Sequence, residues 1–122
     1  MAEVTLNKNM IEGQIKPING MSEELLSVFY SLDRNDFMPE DQKEMSYVEK
    51  NIILQDQRTI LKPSLIAQIA LSINLQFNEN VMILGATNGY LSAILSYLAE
   101  TVIVVEEDEQ LLNSAAASIK KK

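Results

Sequence analysis

Apolar residues in the second half of the chain form two short runs that frame a helical pattern. Residues 81–84 are apolar throughout, and Thr101 is followed by four more apolar residues. A strand without polar alternation is expected to be covered on both faces, as in a parallel sheet. With Leu91 to Leu98 between them, the two runs predict a strand, a helix and a second strand. This is the first half of a nucleotide-binding α/β unit.

A glycine-containing turn, Gly85 to Tyr90, joins the first predicted strand to the helix. Gly85 allows a sharp turn, and Gly89 allows the helix to lie close to a ligand. Glu106 follows the second strand, 21 residues after Gly85. This is near the ~20-residue offset at which a carboxylate accepts hydrogen bonds from ribose hydroxyls. The pattern therefore predicts a ribose-containing ligand, and a packing element with an empty turn is the alternative.

The charge pattern limits the ligand and the partners. The chain has 10 basic and 17 acidic residues, for a net charge of −7. Phosphate contacts need clustered Lys and Arg, whereas the only basic run, Lys120-Lys121-Lys122, suits a solvated helix end. The sequence beside the turn contains no Lys or Arg, so a neutral or cationic nucleoside fits better than a pyrophosphate. We therefore expect no nucleic-acid partner.

Missing residue types exclude several kinds of chemistry. The sequence contains no cysteine and no histidine, which excludes disulfides, thiolate nucleophiles, imidazole bases and the usual zinc sites. No apolar run approaches the ~18 residues of a membrane span, and the acidic start of the chain lacks the pattern of a signal peptide. We therefore expect a cytoplasmic protein with no metal site and no membrane partner.

The 122 residues are expected to form one domain in two parts. Residues 1–62 are predicted to be mainly helical, and residues 63–122 to hold the α/β unit. The first part contains a short helix that stops near Lys16-Pro17, a helix capped by Ser22, a polar connector over residues 33–38, a helical stretch from Pro39 and an extended segment over residues 51–60. In the second part, Pro63 opens a helix to about Asn74, and the acidic residues 107–109 open a last helix.

Six segments of the chain are similar to segments of one known family. They are residues 10–17, residues 34–39, Tyr47, residues 58–63, the turn with Asn88-Gly89-Tyr90, and residues 104–108. A single glycine turn recurs in many nucleotide-binding folds, but six segments in the family's order cover nearly the whole chain. The chain therefore resembles the protein-L-isoaspartate O-methyltransferases, in particular the shorter bacterial relatives.

The resemblance implies an α/β protein with a partial Rossmann-like methyltransferase fold. A helical amino-terminal part would precede the first parallel strands of a doubly wound sheet. The implied cofactor is S-adenosylmethionine, and the implied substrate is a protein or peptide with isoaspartyl residues. The residues implied at the cofactor are Gly85, Ala86, Thr87, Asn88, Gly89, Tyr90, Glu106 and Glu107, with Glu106 on the ribose and Thr59 on the substrate side. No catalytic residue is assigned, because a carboxylate substrate is already ionised at neutral pH and needs no base.

Three positions differ from the family pattern. Ile83 stands where the family usually has an acidic residue, Thr87 stands at its middle glycine, and Leu61 stands where the isoaspartyl enzymes have a serine. Family members also continue through further strands, so the chain resembles an amino-terminal portion.

Two hypotheses follow from these differences. The first is a truncated methyltransferase whose activity is retained or lost. The second is a non-catalytic half-fold, because a sheet that ends at residues 102–105 has an unpaired apolar edge that favours pairing with another chain. A homo-oligomer formed through this sheet edge is therefore a further expectation.

Two other residues have structural interpretations. Tyr90 is expected to pack over the turn rather than to act as a catalytic phenol. Arg34, next to Asp33 and near Asp36, is expected to form a surface ion pair of small energetic value.

Overall fold

A computed structural model of the chain describes residues 2–54, 57–85 and 87–120. In chain order, the elements are α1 (Ala2–Met10), a π-helical segment (Ile11–Ile15), α2 (Glu23–Tyr30), two 3₁₀ helices (Arg34–Phe37 and Glu40–Met45), β1 (Ile52–Ile53), β2 (Thr59–Ile60), α3 (Pro63–Ile73), β3 (Asn80–Leu84), α4 (Tyr90–Ser96), β4 (Thr101–Val105) and α5 (Glu109–Lys120). The predicted order, a helical first part before a strand-helix-strand second part, is confirmed.

The first part of the chain is mainly helical. α1 runs directly into the π-helical segment, and this first helical stretch ends just before Lys16-Pro17, as predicted. Ser22 caps α2 as predicted, since its hydroxyl oxygen accepts a hydrogen bond from the Leu25 amide at 3.1 Å. The predicted polar connector forms the first 3₁₀ helix, and the predicted stretch after Pro39 forms the second.

The segment predicted to be extended over residues 51–60 is a small antiparallel hairpin. Its two strands pair Ile52 with Ile60. Gln57, which precedes β2, has a φ of 64°, a left-handed conformation that few non-glycine residues adopt. The hairpin turns the chain back on itself, and Arg58 is the first residue after Gln57.

The helices of the second part begin and end at the predicted signals. Pro63 is the first residue of α3, and Asn74 ends this helix in a left-handed conformation with a φ of 51°. Asp108 precedes α5, and its carboxylate accepts hydrogen bonds from the amides of Gln110 and Leu111 at 2.9 and 3.1 Å. The acidic start predicted for this helix is therefore confirmed.

One hydrophobic core contains residues from both parts of the chain. Its larger buried side chains are Met10, Ile11, Ile15, Leu25, Phe29, Leu32, Phe37, Ile66, Tyr90, Ile94 and Leu95. Helices from residues 2–37 thus pack directly on α3 and α4, and this packing sets where the sheet lies. None of the helices in the described ranges has the length and apolar character that a membrane span requires.

The parallel sheet consists of β3 and β4, which pair in register from Asn80 opposite Thr101 to Leu84 opposite Val105. Burial alternates along both strands. The residues on one face pack against the core, whereas Met82 is 58 % and Leu84 is 75 % exposed on the other. The expectation that both faces of the first strand are covered is therefore wrong. The apolar runs meet helices on one side only, and within the described residues nothing buries the second face.

Candidate functional site

A cavity of about 750 Å³ lies at the carboxyl ends of β3 and β4. It is lined by Gln57, Arg58, Thr59, Leu84, Gly85, Thr87, Val105, Glu106 and Glu107. Ligands of open parallel sheets bind at this edge, where the loops that follow neighbouring strands meet. The hairpin from the first part of the chain supplies the opposite wall. The predicted residues Gly85, Thr87, Glu106, Glu107 and Thr59 are thus together at one cavity.

The turn after β3 is tight and contains unusual backbone conformations. The Gly85 amide donates to the Val105 carbonyl at 2.7 Å, which extends the strand pairing by one residue before the chain leaves the sheet. Gly85 has a φ of 81°, and Thr87 has a φ of 54°. A left-handed conformation is unusual for a β-branched residue such as threonine and costs about 1–3 kcal/mol. The backbone keeps a left-handed conformation at Thr87 even though this residue carries a branched side chain.

Gly89 makes a close packing contact with the last helix. Its φ is 82°, and a Cβ at this position would lie 2.8 Å from the Cβ and 3.1 Å from the Cα of Ala115. Ala115 belongs to α5, so the last helix packs directly against Gly89. The approach of a ligand to Gly89 stays a prediction.

Glu106 is the best-connected side chain of the cavity. Its carboxylate has no solvent exposure and accepts hydrogen bonds from the amides of Thr87 and Asp108, each at 3.1 Å. It also accepts two hydrogen bonds from the guanidinium of Arg58, at 2.5 and 2.7 Å. The Arg58 guanidinium, together with the two amides, lowers the pKa of Glu106 to about 2. Glu106 is therefore ionised and held in one position.

Arg58 is the functional residue that sequence reasoning missed. The statement that no basic residue lies beside the turn is wrong, because the Arg58 guanidinium reaches Thr87 Oγ1 at 3.4 Å as well as Glu106. Arg58 lies 48 residues before Glu106, so no local spacing connects the two. The only available signal was that Arg58 begins a segment similar to the family, next to Thr59.

Three predicted cofactor residues do not line the cavity. The Asn88 side chain accepts a hydrogen bond from the Tyr90 amide at 3.4 Å, Gly89 contacts α5, and the Tyr90 side chain is fully buried. Their assignment to the cofactor stays a prediction. Ala86, also assigned to the cofactor, lies outside the described residues.

Tyr90 and Arg34 form the centre of the core below the turn. The Tyr90 ring packs 6.2 Å from the ring of Phe29 and 5.5 Å from that of Phe37, measured between centroids. The Arg34 guanidinium lies 4.9 Å from the Tyr90 centroid and donates to the Leu61 carbonyl at 2.9 Å. The packing role expected for Tyr90 is confirmed, but the surface ion pair expected for Arg34 is wrong. Arg34 is fully buried, and burial lowers the pKa of its guanidinium.

Comparisons with known sequences identify the family of the chain. The family described as "Protein-L-isoaspartate(D-aspartate) O-methyltransferase (PCMT)" matches residues 5–122. The protein-L-isoaspartate O-methyltransferase of Rhodopseudomonas palustris is 28 % identical over 110 residues, which cover 90 % of this chain and 50 % of the relative. That of Dictyoglomus thermophilum is 32 % identical over 94 residues, which cover 77 % of this chain and 43 % of the relative. The chain thus spans about half the length of the curated relatives it matches.

Comparisons with solved structures identify the fold. A protein-L-isoaspartate O-methyltransferase structure has a TM-score of 0.72 and 18 % identity, with 96 % of this chain and 38 % of the other covered. A putative protein-L-isoaspartate O-methyltransferase from Plasmodium falciparum, in complex with S-adenosyl-L-homocysteine, has a TM-score of 0.68 and 20 % identity, with 98 % and 55 % covered. The predicted partial Rossmann-like methyltransferase fold is confirmed.

Proposed function

Because the chain belongs to the protein-L-isoaspartate(D-aspartate) O-methyltransferase family, we propose that the cavity at the ends of β3 and β4 binds S-adenosylmethionine. The activity to which the chain contributes is methyl transfer to the carboxylate of an isoaspartyl residue in a protein or peptide. The observation that carries this proposal is the position of Glu106. Its carboxylate follows β4, adjoins the turn after β3 and lies on the wall of the cavity.

The cavity suits a nucleoside in size and in chemistry. Its volume of about 750 Å³ falls within the range of small-molecule sites. Glu106 offers carboxylate oxygens to ribose hydroxyls, and Leu84 and Val105 add apolar surface to the same wall. The Plasmodium falciparum structure of similar fold is in complex with S-adenosyl-L-homocysteine, the demethylated form of the proposed cofactor. These features favour a nucleoside thioether or sulfonium over a nucleoside phosphate.

The residues of the chain have binding and positioning tasks in this proposal. S-adenosylmethionine, when bound, supplies a methyl group on a sulfonium. Glu106 holds the ribose, the backbone of Gly85 and Thr87 borders the rest of the cofactor, and Thr59 offers a hydroxyl toward the substrate. The substrate carboxylate is ionised at neutral pH and needs no general base. Rate enhancement therefore comes from alignment of the carboxylate and the methyl group and from exclusion of water.

Isothermal titration calorimetry with S-adenosylmethionine and S-adenosyl-L-homocysteine tests the proposal. We expect saturable binding, and a loss of affinity of about 10- to 100-fold in Glu106→Gln, because hydrogen bonds to a charged acceptor are lost. Glu100→Gln is the matched control, since Glu100 is an exposed glutamate before β4. Equal affinities of Glu106→Gln and the unmodified chain would remove Glu106 from the site.

A second function, self-association without catalysis, is favoured by the face of the sheet that no described residue covers. Met82, Leu84, Ile103 and Val105 form an apolar surface there, each at least about half exposed. Large contiguous apolar patches mark interaction surfaces. We propose that a second copy of the chain covers this apolar surface.

Light scattering at rising protein concentration tests this second function. A dimer should form, and Ile103→Lys should dissociate it, whereas Val48→Lys, an equivalent change away from the sheet, should leave it intact. A monomer at every concentration contradicts self-association.

A further inference from the structure

We propose that Arg58 controls access to the ribose position by occupying the carboxylate of Glu106 until a nucleoside displaces it. This inference rests on the proposed function, because it concerns the same cavity. It adds a residue from the first part of the chain to the cofactor residues, all of which the sequence analysis placed in the second part. In this arrangement the guanidinium acts as an internal competitor of the cofactor.

The hydrogen-bond capacity of Glu106 is the first step of the argument. A carboxylate offers about four lone-pair sites to donors. The amides of Thr87 and Asp108 take one each, and the Nη1 and Nη2 atoms of Arg58 take the other two. No acceptor site is left for a ribose hydroxyl while this pairing lasts. A ribose diol has two donors, so it replaces the Arg58 contacts one for one.

Arg58 is the partner of Glu106 that is able to leave. The two amides belong to the backbone around the carboxylate and stay in place, whereas Arg58 is a long side chain that is 27 % exposed. Ions and water reach this exposed part of the guanidinium, so salt weakens its attraction to Glu106. Glu107 and Asp108 attract the guanidinium as well, and together with Glu106 they raise the pKa of Arg58. A displaced guanidinium therefore has other carboxylates nearby.

Residues with a strained backbone lie next to both members of the Arg58–Glu106 pair. Three non-glycine residues in the described ranges have positive φ: Gln57, Asn74 and Thr87. Asn74 ends a helix, where this conformation is common. Gln57 directly precedes Arg58, and Thr87 donates its amide to Glu106 and accepts a hydrogen bond from Arg58 on its hydroxyl. Strained residues collect at ligand sites and switches, and here they flank the contact that the ligand must break.

Calorimetric titration of arginine variants with S-adenosyl-L-homocysteine tests the inference. We expect Arg58→Ala to bind at least about tenfold more tightly than the unmodified chain, with Arg58→Gln in between. The double variant Arg58→Ala with Glu106→Gln should lose this gain. Lys50→Ala is the charge-matched control, because it removes one positive charge from an exposed side chain, and its affinity should be unchanged.

The salt dependence of ligand affinity is a second measurement. It would not change if Arg58 had only a structural role. Raising the sodium chloride concentration weakens the Arg58–Glu106 pair by screening, so it should improve binding to the unmodified chain and not to Arg58→Ala. Circular dichroism identifies a variant that fails to fold, and Arg58→Gln then replaces Arg58→Ala.

The outcomes separate this inference from the proposed function. Equal binding by the unmodified chain and Arg58→Ala overturns control by Arg58 but leaves the cofactor site standing. Weaker binding by Arg58→Ala also overturns it, because the guanidinium would then help to hold the ligand. Absence of binding by every variant overturns both proposals.

Discussion

The two arginines of the chain lie in regions with opposite character. Arg34 is fully buried in the helical core, where its Nε and Nη1 atoms have no hydrogen-bond partner among the described residues. Arg58 borders the cavity, partly exposed, and both of its Nη atoms bind a carboxylate. An arginine side chain thus packs in the core in one region, and in the other it forms a polar contact that a ligand is able to displace. Burial determines which of these roles a cation has.

The core region tolerates a buried cation because the guanidinium has an aromatic ring and a carbonyl as partners. Its central carbon lies over the Tyr90 ring, and one Nη atom donates to the Leu61 carbonyl. Cation–π contacts strengthen when they are desolvated, which offsets part of the cost of taking the charge out of water. The cavity region has the opposite balance, since the Arg58 side of the pair is open to solvent, which screens its attraction to Glu106.

Replacement of each arginine by alanine is the strongest test of this contrast. Arg34→Ala should lower the free energy of unfolding by about 3 kcal/mol, because it leaves a cavity under Tyr90 and an unpaired Leu61 carbonyl. Arg58→Ala should lower it less, by about 1–2 kcal/mol, because the Thr87 and Asp108 amides still bind Glu106 and water replaces part of the lost contact. Urea unfolding of both variants measures the difference. Similar losses would mean that the two environments are energetically alike.

A substitution at Gly89 disturbs the junction between the helical core and the cavity. Gly89→Ala should cost about 2 kcal/mol, because alanine is strained at positive φ and its Cβ meets Ala115 of α5. Thermal unfolding measures the loss. Ala115→Gly, which costs about 1 kcal/mol alone, should recover part of it in the double variant. Strict additivity of the two changes would contradict the contact.

Acid titration distinguishes the cavity from the core through Glu106. The pKa of this carboxyl falls from its ordinary value of 4.5 to about 2 in the folded chain. Its contribution to stability is therefore complete above pH 4.5 and is lost as the pH falls toward 2. Urea unfolding between these pH values should show a shallower decline for Arg58→Ala than for the unmodified chain. An identical decline would exclude Arg58 as the main cause of the low pKa.

The smallest expected effect is that of the Tyr90 hydroxyl. Its oxygen is buried and has no hydrogen-bond partner among the described residues. Tyr90→Phe should therefore change the free energy of unfolding by less than about 1 kcal/mol, in either direction. Tyr97→Phe is the control, because Tyr97 is an exposed tyrosine directly after α4. A large loss in Tyr90→Phe would show that the hydroxyl contributes to the core.

Signals that act over a few residues were sufficient to predict much of the fold. Ser22 caps α2, Pro63 starts α3, and Asp108 precedes α5, as the local rules require. The offset between Gly85 and Glu106 predicted one ligand for the turn and the carboxylate, and the structure brings both residues to one cavity. This offset follows from the length of one strand-helix-strand unit. Contacts of this kind depend on residues that are close together in the chain, so sequence patterns predict them.

Contacts between distant segments were not predictable in the same way. Arg58 and Glu106 are 48 residues apart, and the approach of Ala115 to Gly89 depends on how α5 packs. The burial of Arg34 and the exposure of Leu84 contradict what residue type and pattern favour. Each of these contacts and exposures depends on which helices and strands pack together. Neither hydrophobic periodicity nor motif spacing predicts this packing.

The sequence by itself determined the elements, their order, the family and the position of Glu106. Backbone propensity, capping and the length of one α/β unit act locally, so they leave a pattern that can be read along the chain. Only the tertiary structure decided that Arg58 occupies the carboxylate, that Arg34 lies in the core and that no described residue covers one face of the sheet. These outcomes arise from packing between elements far apart in the chain, because burial and pairing are properties of the assembled fold.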